Sequence, residues 1–521
     1  MHQSNQARLL IQGRSSHQSV MPASKVLKPL GTVGSVSTIT ILILNSLSLL
    51  ALVASDDFEL LAVAGLFAFI GGVLFLSRIL SVGVGGRLLA AGFTTFYLVG
   101  YPLSAILLVL VPEHSHPMLL QDRSTIIRSF MVGLIGWQFW MLGYTILSQY
   151  RVSGSRKKSF KNYQHNSSQL LIAVASIGVV CRIFVQLFTA FSGSSAISAY
   201  GVIPSTLAGI GAAAAAIVFW SDHRWSRSAF ILISLYSISG LFGGMRSECI
   251  LPWLTFIAAG ACLGKLSLIR TTVLFFAIIA AVVICYPLLT AFKLLMHDVR
   301  QTSAGWNRVA RVSSVLEQLG DDDQANSHSG SIYESLHRVA TRYSHLQYGG
   351  NIVTTGLRYR GWLNGESLYQ CVVTFIPRSV WPNKPVIGLG KEAYHWMGYT
   401  GKGMATVPLS TDWYLNYGFL GVIVGMSLSG FYYSFIEKLL LSTDLTLRAV
   451  GVSLVYPLAV AGMGITGVFT GTVIPLCAMF GICTVVNAFW SFGRRQRRDQ
   501  LPQELTMSHC RKAAREQLHA A

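Results

Sequence analysis

From near its start to near its end the chain repeats one pattern, an apolar run of about twenty residues followed by a short polar turn. A helix needs ~20 apolar residues to cross ~30 Å of hydrocarbon. Inside hydrocarbon a helix also pairs its own backbone N–H and C=O groups, which an isolated strand cannot do. The repetition therefore predicts an all-α polytopic membrane protein with about twelve transmembrane helices. The runs fall near residues 35–54, 59–80, 88–111, 126–149, 169–191, 205–220, 229–243, 249–264, 271–291, 413–436, 447–465 and 468–490. Charged residues make up only 12% of the chain, against roughly 25% in soluble domains.

The basic residues fix an orientation. Arg78 with Arg87, the cluster from Arg151 to Lys161, Arg224 with Arg227, Lys265 with Arg270, and Arg494-Arg495-Gln496-Arg497-Arg498 all fall in alternate turns. Short loops rich in Lys and Arg stay on the cytoplasmic side. Both termini are then cytoplasmic. The net charge of +19 follows from this bias and does not call for nucleic acid as a partner. The organisation reads as a cytoplasmic segment at 1–34, nine helices over 35–291, one large external loop at 292–412, three helices over 413–490, and a basic tail at 491–521. Fusing the short seventh and eighth runs would move the basic tail outside, so they are read as two helices. The eight cysteines form no CxxC pair and behave as small hydrophobes. Asp321-Asp322-Asp323 has no further ligand at a metal-binding spacing. Neither a metal nor a cofactor is expected.

A polar interruption of this length is usually functional, and its cations draw attention. Phe375-Ile376-Pro377-Arg378-Ser379-Val380-Trp381-Pro382-Asn383-Lys384-Pro385 carries three prolines around Arg378 and Lys384. Proline fixes φ and supplies no N–H, so the stretch is expected to be a stiff extended loop. Upstream, Ser331-Ile332-Tyr333-Glu334 has the form of a capping box. Ile332, Leu336, Val339, Tyr343 and Leu346 then lie within about 80° of arc at 100° per residue. That predicts an amphipathic helix on the membrane surface, ending near Gly349-Gly350, with Arg338, Arg342 and His345 beside its apolar stripe. Those three are either an anion clamp or a solvated headgroup face. Leu368 to Ile376 is too short to span and is expected to dip into the interface. Asp412 is expected at the outer end of the tenth helix, where the dipole alone favours an acid and where it could also serve catalysis. Trp413, Tyr414 and Tyr417 read as an interfacial aromatic belt.

Two arginines lie within the membrane sector. Arg182 falls well inside the fifth run, where an unpaired charge costs ~2.5–3.5 kcal/mol even on the mildest scale. It should face the bundle interior and have a partner. Arg246 follows Gly243-Gly244-Met245 at an outer helix break, where flexible backbone and a helix N-terminus favour an anion. Pairing with Glu248 is the alternative.

About twelve helices, a Gly-rich turn ending in Arg246-Ser247, a late external loop, the Pro377-Arg378…Trp381-Pro382-Asn383-Lys384-Pro385 stretch and Ser410-Thr411-Asp412-Trp413-Tyr414-Leu415-Asn416-Tyr417-Gly418 together resemble the bacterial oligosaccharide repeat-unit polymerases. These are the Wzy-type O-antigen and exopolysaccharide polymerases of the inner membrane. The family more often has Glu at the position of Asp412, and Asn-Phe-Gly where this chain has Asn416-Tyr417-Gly418. The resemblance implies transfer of an undecaprenyl-diphosphate-linked glycan onto a lipid-linked repeat unit at the periplasmic face. It admits a chain-length regulator as a further partner. Arg378, Arg246, Asp412 and His345 become the expected catalytic groups. Arg338, Arg342, Arg378, Lys384 and Arg182 become the expected diphosphate ligands, since guanidinium binds phosphate bidentately and stays charged. An O-antigen ligase shares the topology and the donor, but the ligase family's His-centred loop motif is not evident. A lipid-linked glycan flippase is the other alternative, although no internal repeat of the kind common in transporters is found.

Overall fold

In the computed structural model the described residues are 33–54, 59–81, 87–110, 122–149, 161–192, 202–242, 246–267, 344–376, 380–385, 388–397, 405–442, 444–455 and 464–478, with a few single positions besides. Among them there is no strand. The helices are α1 (Val33–Ala54), α2 (Leu60–Ser81), α3 (Leu88–Leu110), α4 (Arg123–Gln149), α5 (Lys161–Ser192), α6 (Val202–Ser221), α7 (Ser226–Phe242) and α8 (Arg246–Cys262). After the gap come α9 (His345–Arg360), α10 (Glu366–Val373), α11 (Gly390–Trp396), α12 (Leu409–Leu440), α13 (Leu445–Ser453) and α14 (Ile465–Ala478). Four of these, α2, α3, α4 and α12, are long and apolar enough to cross a membrane, and shorter apolar helices lie within α1, α5, α6, α8 and α14. The described residues thus supply four such helices where the sequence predicts about twelve. The predicted split between the seventh and eighth runs is present. α7 and α8 pack against each other, with Trp253 Nε1 donating to Ser237 Oγ (3.0 Å) and Ser237 Oγ to the Cys249 carbonyl (2.7 Å).

The bundle is built on small residues. α4 and α12 form its most extensive helix pair. A Cβ on Gly143 of α4 would strike the Ser427 backbone, and one on Gly430 of α12 would strike the Trp140 carbonyl. Close helix approach of this kind supplies the dispersion contacts that hold helices together in lipid, where no hydrophobic force acts between them. Large rings fill the rest. Phe93 stacks on Trp140 at 4.3 Å and Tyr97 on Trp137 at 4.8 Å. The opposite faces of α1 and α2 expose Ile43, Leu50, Leu66 and Leu74, the apolar surface that hydrocarbon would cover.

α3 contains Pro102, which lacks an N–H and crowds the preceding turn. The helix absorbs it by widening into a π turn at Val99–Leu103, a common solution and one often found at functional sites. The displaced Pro102 carbonyl rests on Gly65 of α2, where an added Cβ would come within 2.9 Å. On the other side, Gly100 leaves room for the imidazole of His345.

α12 is not one straight helix. Tyr417 (φ −146°, ψ 21°) and Gly418 (φ 64°, ψ −154°) break it. Beyond the break the chain folds back. A Cβ on Gly421 would meet the Trp413 carbonyl at 2.5 Å, the Trp413 ring covers Gly425, and Trp413 Nε1 reaches Ser429 Oγ (3.4 Å). Ser410 comes to the same point on Gly136 of α4 as Val422 and Met426. Residues 409–416 therefore run antiparallel to the start of residues 419–440. The latter stretch, about 33 Å long at 1.5 Å per residue, is the part that crosses the bundle. Three expectations change here. The helix begins at Leu409, across the predicted boundary at 412/413. Asp412 is drawn back beside the bundle and is not at the outer tip. Trp413 and Tyr414 pack inward, and of the predicted aromatic belt Tyr417 alone is exposed.

Each end of α12 offers a carboxylate to another helix. At one end Glu437 Oε1 accepts from the Ala90 amide in the first turn of α3 (2.9 Å), and its Oε2 is bonded by the Tyr144 hydroxyl. Arg87 Nη1 donates to the same hydroxyl (2.9 Å). Arg87 is 6% exposed, so it is a packed residue where the charge pattern places it in a loop. At the other end stands Asp412.

Candidate functional site

Asp412 is 2% exposed and joins three helices. Its Oδ1 accepts from Ser367 Oγ in α10 (2.6 Å) and from Asn416 Nδ2 one turn along (3.0 Å). Its Oδ2 accepts from the Ile465 amide (2.7 Å). Ile465 opens α14, and the residue before it, Gly464, has no side chain with which to cap. The first amides of a helix lack internal acceptors, and a carboxylate is well suited to the positive end of the helix dipole. Asp412 thus serves as the missing cap from another helix. Gly464 also gives it room, since a Cβ there would come within 2.5 Å of Oδ2. Asn416 extends the arrangement. Its Oδ1 accepts from the Gly365 amide (3.0 Å) and the Ser367 amide (3.4 Å), capping α10. Thr466 Oγ1 closes the ring on the Ser367 carbonyl (3.2 Å).

His345 lies on the other side of the same turn. It is 3% exposed, sits against Gly100 and is 6.0 Å from the Tyr101 ring. Tyr101 shares a hydrogen bond with Ser410 (3.2 Å), two residues before Asp412. The first turns of α9, from His345 to Gly350, are buried apart from half-buried Tyr348, whereas Arg358, Tyr359 and Arg360 at its far end are exposed. Gly349 lets α9 close on Ser129 and Thr411, whose hydroxyls would lie 2.9 and 3.0 Å from a Cβ there. α9 and the 409–416 segment therefore both begin against Tyr101, midway along α3. Burial pushes the His345 pKa down to about 4, so the imidazole is neutral near pH 7, and among the described residues its Nε2 has no hydrogen-bond partner.

These contacts correct the sequence reading of α9. The predicted surface helix is expected to stop near Gly349-Gly350. Instead a helix starts at His345 after a non-helical Ser344 (φ −73°, ψ 80°) and passes through both glycines. They serve close packing and not termination. His345 is consequently a core residue and not part of a surface clamp.

The other expected site residues are placed as follows. Lys384 is 8% exposed, and its ammonium donates to the carbonyls of Thr374 (3.0 Å) and Ile376 (2.8 Å), just past the end of α10. A cation suits the orphan carbonyls of a helix C-terminus, and two of them accept from it here. Arg182 lies in α5 and donates from Nε to Ser239 Oγ of α7 (2.8 Å), giving it the interior partner its position requires. It belongs with α5 and α7, away from the Asp412 turn. Arg246 opens α8, and its side chain lies outside the described residues. Arg338, Arg342 and Arg378 also lie outside them.

Sequence reading missed Ser367, Asn416, Tyr101 and the Ile465 amide. Asn416 had a signal, since it stands four residues after Asp412 on the same helix face. The Ile465 amide, 53 residues away, had none. A second feature adjoins the turn. Phe93, Tyr97, Trp137, Met426, Pro408 and Ser410 help to line a small cavity. Comparison of the chain with protein-family models, with curated proteins and with solved structures finds no match.

Proposed function

We propose that this chain is a multi-pass glycan polymerase of the bacterial inner membrane. In this reading it transfers a lipid-diphosphate-linked glycan onto a second lipid-linked repeat unit on the periplasmic side. The observation that supports the reading best is the fold-back of residues 408–418. Ser410 to Gly418 is one of the segments that carry the resemblance, and it is a buried polar turn inserted beside α3 and α4. Irregular backbone is tolerated among apolar helices where it is buried in protein or lines a cavity. Buried polar groups within such a bundle are a functional hypothesis by default.

The reaction asks little covalent chemistry of the protein. The anomeric C–O bond to the diphosphate breaks, and the diphosphate leaves with the bonding pair. The acceptor hydroxyl oxygen bonds the anomeric carbon and gives up its proton. Arg378, with Arg338 and Arg342, is assigned to the diphosphate, where fixed guanidinium donors favour the developing charge. His345, neutral and with Nε2 unpaired, is assigned to the acceptor proton, because only a neutral imidazole accepts one. Asp412 is a positioning residue in this scheme, its two oxygens already taken by three donors.

The test is deletion of the gene, followed by separation of surface and lipid-linked glycans by size. Loss of long chains with retention of single repeat units is the expected result. Long chains accumulating on the carrier lipid would indicate a ligase, and units trapped on the cytoplasmic side a flippase. Unaltered chain length would refute the polymerase, and unaltered glycans both at the surface and on the carrier lipid would refute all three assignments. At residue level, Arg378→Ala and Arg378→Lys should both abolish long chains at normal protein abundance, since lysine cannot reproduce a bidentate contact.

A further inference from the structure

α10 sends its polar side chains inward and leaves apolar ones outside. Ser367, Gln370, Cys371 and Val373 are buried. Ser367 Oγ donates to Asp412, and Gln370 Oε1 accepts from the Gly388 amide (2.7 Å). On the other side Leu368, Tyr369 and Val372, with Phe375 just past the helix end, are 39%, 54%, 67% and 46% exposed. A helix facing water carries the opposite pattern, and soluble surfaces rarely gather large apolar side chains into one patch. The placement of α10 indicates what covers it. Just before it, the Trp362 ring lies over Gly418 and against Tyr414 (5.7 Å), and Tyr414 meets Phe419 (5.1 Å), the first residue of the crossing stretch of α12. Just after it, Phe375 meets Phe469 (6.0 Å), one turn into the apolar helix α14. α10 therefore lies between the beginnings of two apolar helices, at the Asp412 end of the bundle. Leu420, Val424 and Leu428 continue along α12 as an exposed stripe. The rim is of the interfacial kind. Tyr359 and Trp362 are exposed, and Arg360 pairs with Glu366 at the start of α10 (2.9 Å) and with Glu392. Tyr, Trp and Arg collect where headgroups meet hydrocarbon.

We propose that α10 is an interfacial helix whose exposed face is covered by lipid acyl chains, and that this contact holds Ser367 against the Asp412 turn. Eight residues make a helix of about 12 Å at 1.5 Å per residue, far short of the ~30 Å of hydrocarbon, so α10 lies along the boundary and does not cross it. A soluble protein or a second copy on this face would also have to displace hydrocarbon from α12 and α14, which border the patch at its two ends. Hydrocarbon meets both borders already, so lipid is the occupant. The sequence predicts only that 368–376 dips into the interface. The structure adds which face enters and what stands on the opposite one. There Ser367 donates to Asp412 Oδ1, and its carbonyl accepts from Thr466 Oγ1. Asp412 in turn caps α14 through the Ile465 amide. Without lipid the outward face meets water, and α10 loses apolar burial that keeps it in place. Membrane contact thus becomes a condition for the capped start of α14. The proposal rests on α12 and α14 standing in a bilayer and is independent of the reaction assigned above.

The experiment uses the full-length protein in phosphatidylcholine nanodiscs. Photoreactive p-benzoylphenylalanine is placed singly at Val372, at Tyr369 or at Leu428, and adducts formed on irradiation are identified by mass spectrometry. Leu428, on the exposed stripe of α12, sets the yield for a side chain in hydrocarbon. Lipid adducts at 372 and 369 should match it. Crosslinks from both positions to another segment of this chain, to a second copy or to the scaffold protein overturn the proposal, and so does the absence of adducts where 428 gives them. A second measurement tests the coupling. Val372→Asp charges the outward face, and Val372→Leu keeps it apolar. In nanodiscs Val372→Asp should speed hydrogen exchange over 465–468 about tenfold, the scale of one lost hydrogen bond to a carboxylate, and leave 425–440 unchanged. Val372→Leu should behave as wild type. If Val372→Asp does not accumulate, the uncharged Val372→Asn is read in its place. Unchanged exchange over 465–468, or equal acceleration over 425–440, overturns the coupling of lipid contact to the Asp412 turn.

Discussion

Replacing Asp412 separates a structural clamp from an acid that takes part in chemistry. Asp412→Ala removes the acceptor for the Ser367 hydroxyl, the Asn416 amide and the Ile465 backbone N–H at once. The carboxylate is 2% exposed, so water does not readily replace it. Asn416 Nδ2 keeps the Asp412 backbone carbonyl (2.8 Å). The Ser367 hydroxyl and the Ile465 amide are therefore stranded, at ~1–3 kcal/mol each, and non-additivity within one network brings the total to roughly 2–5 kcal/mol. Asp412→Asn keeps the shape. With its oxygen toward Ile465, its NH2 meets Ser367, whose hydroxyl can turn and accept, and Asn416, which cannot while Nδ2 faces it. About one bond is lost, or ~1–2 kcal/mol. The assay is unfolding of the detergent-solubilised protein, followed by helicity against denaturing detergent. Hydrogen exchange is read separately over the first turn of α14. The expected order is wild type, then Asn, then Ala, with exchange at residues 465–468 rising most in Ala. Equal stability of wild type and Asp412→Ala would refute the clamp. Loss of polymer in a fully stable Asp412→Asn would instead assign the acid to chemistry.

Three further outcomes follow from the same geometry. His345 has a pKa of about 4 when folded against ~6.5 unfolded, so the unfolded chain binds the extra proton between these values. Stability should fall as pH drops from 6.5 to 4, by up to about 3 kcal/mol at ~1.4 kcal/mol per unit, and His345→Gln should flatten that part of the profile. Gly418 holds φ 64° and ψ −154°, a region essentially reserved for glycine. Gly418→Ala should therefore cost ~1–3 kcal/mol and loosen residues 409–416, seen as faster exchange there than in 425–440. Lys384→Met strands the Thr374 and Ile376 carbonyls and should cost ~1–2 kcal/mol, measured as earlier proteolysis near the end of α10. A change in polymer length without that local loosening would return Lys384 to substrate binding.

The apolar runs were legible because hydropathy acts locally. α1, α2, α4 and α6 begin and end within a few residues of their runs, and the α7–α8 split followed from charge alternation alone. The functional segments were not legible for the same reason. His345-Leu346-Gln347-Tyr348-Gly349-Gly350 and Pro408-Leu409-Ser410-Thr411-Asp412 are polar enough to read as external loop, yet most of their residues are buried. What takes them into the bundle is distributed over other helices. Gly100 makes the seat for His345, Gly136 for Ser410 and Gly464 for Asp412, and none of these glycines is near its guest in sequence. The buried acids show the same separation. Glu437 and Asp412 look like helix-end charges, and each is the N-terminal cap of a helix lying far off in the chain. A polar stretch in a chain of this kind is therefore better judged by the small residues available to receive it than by its own hydropathy. By that measure single glycines matter more than glycine content, since Gly100 of α3 and Gly136 of α4 are the places where His345 and Ser410 insert.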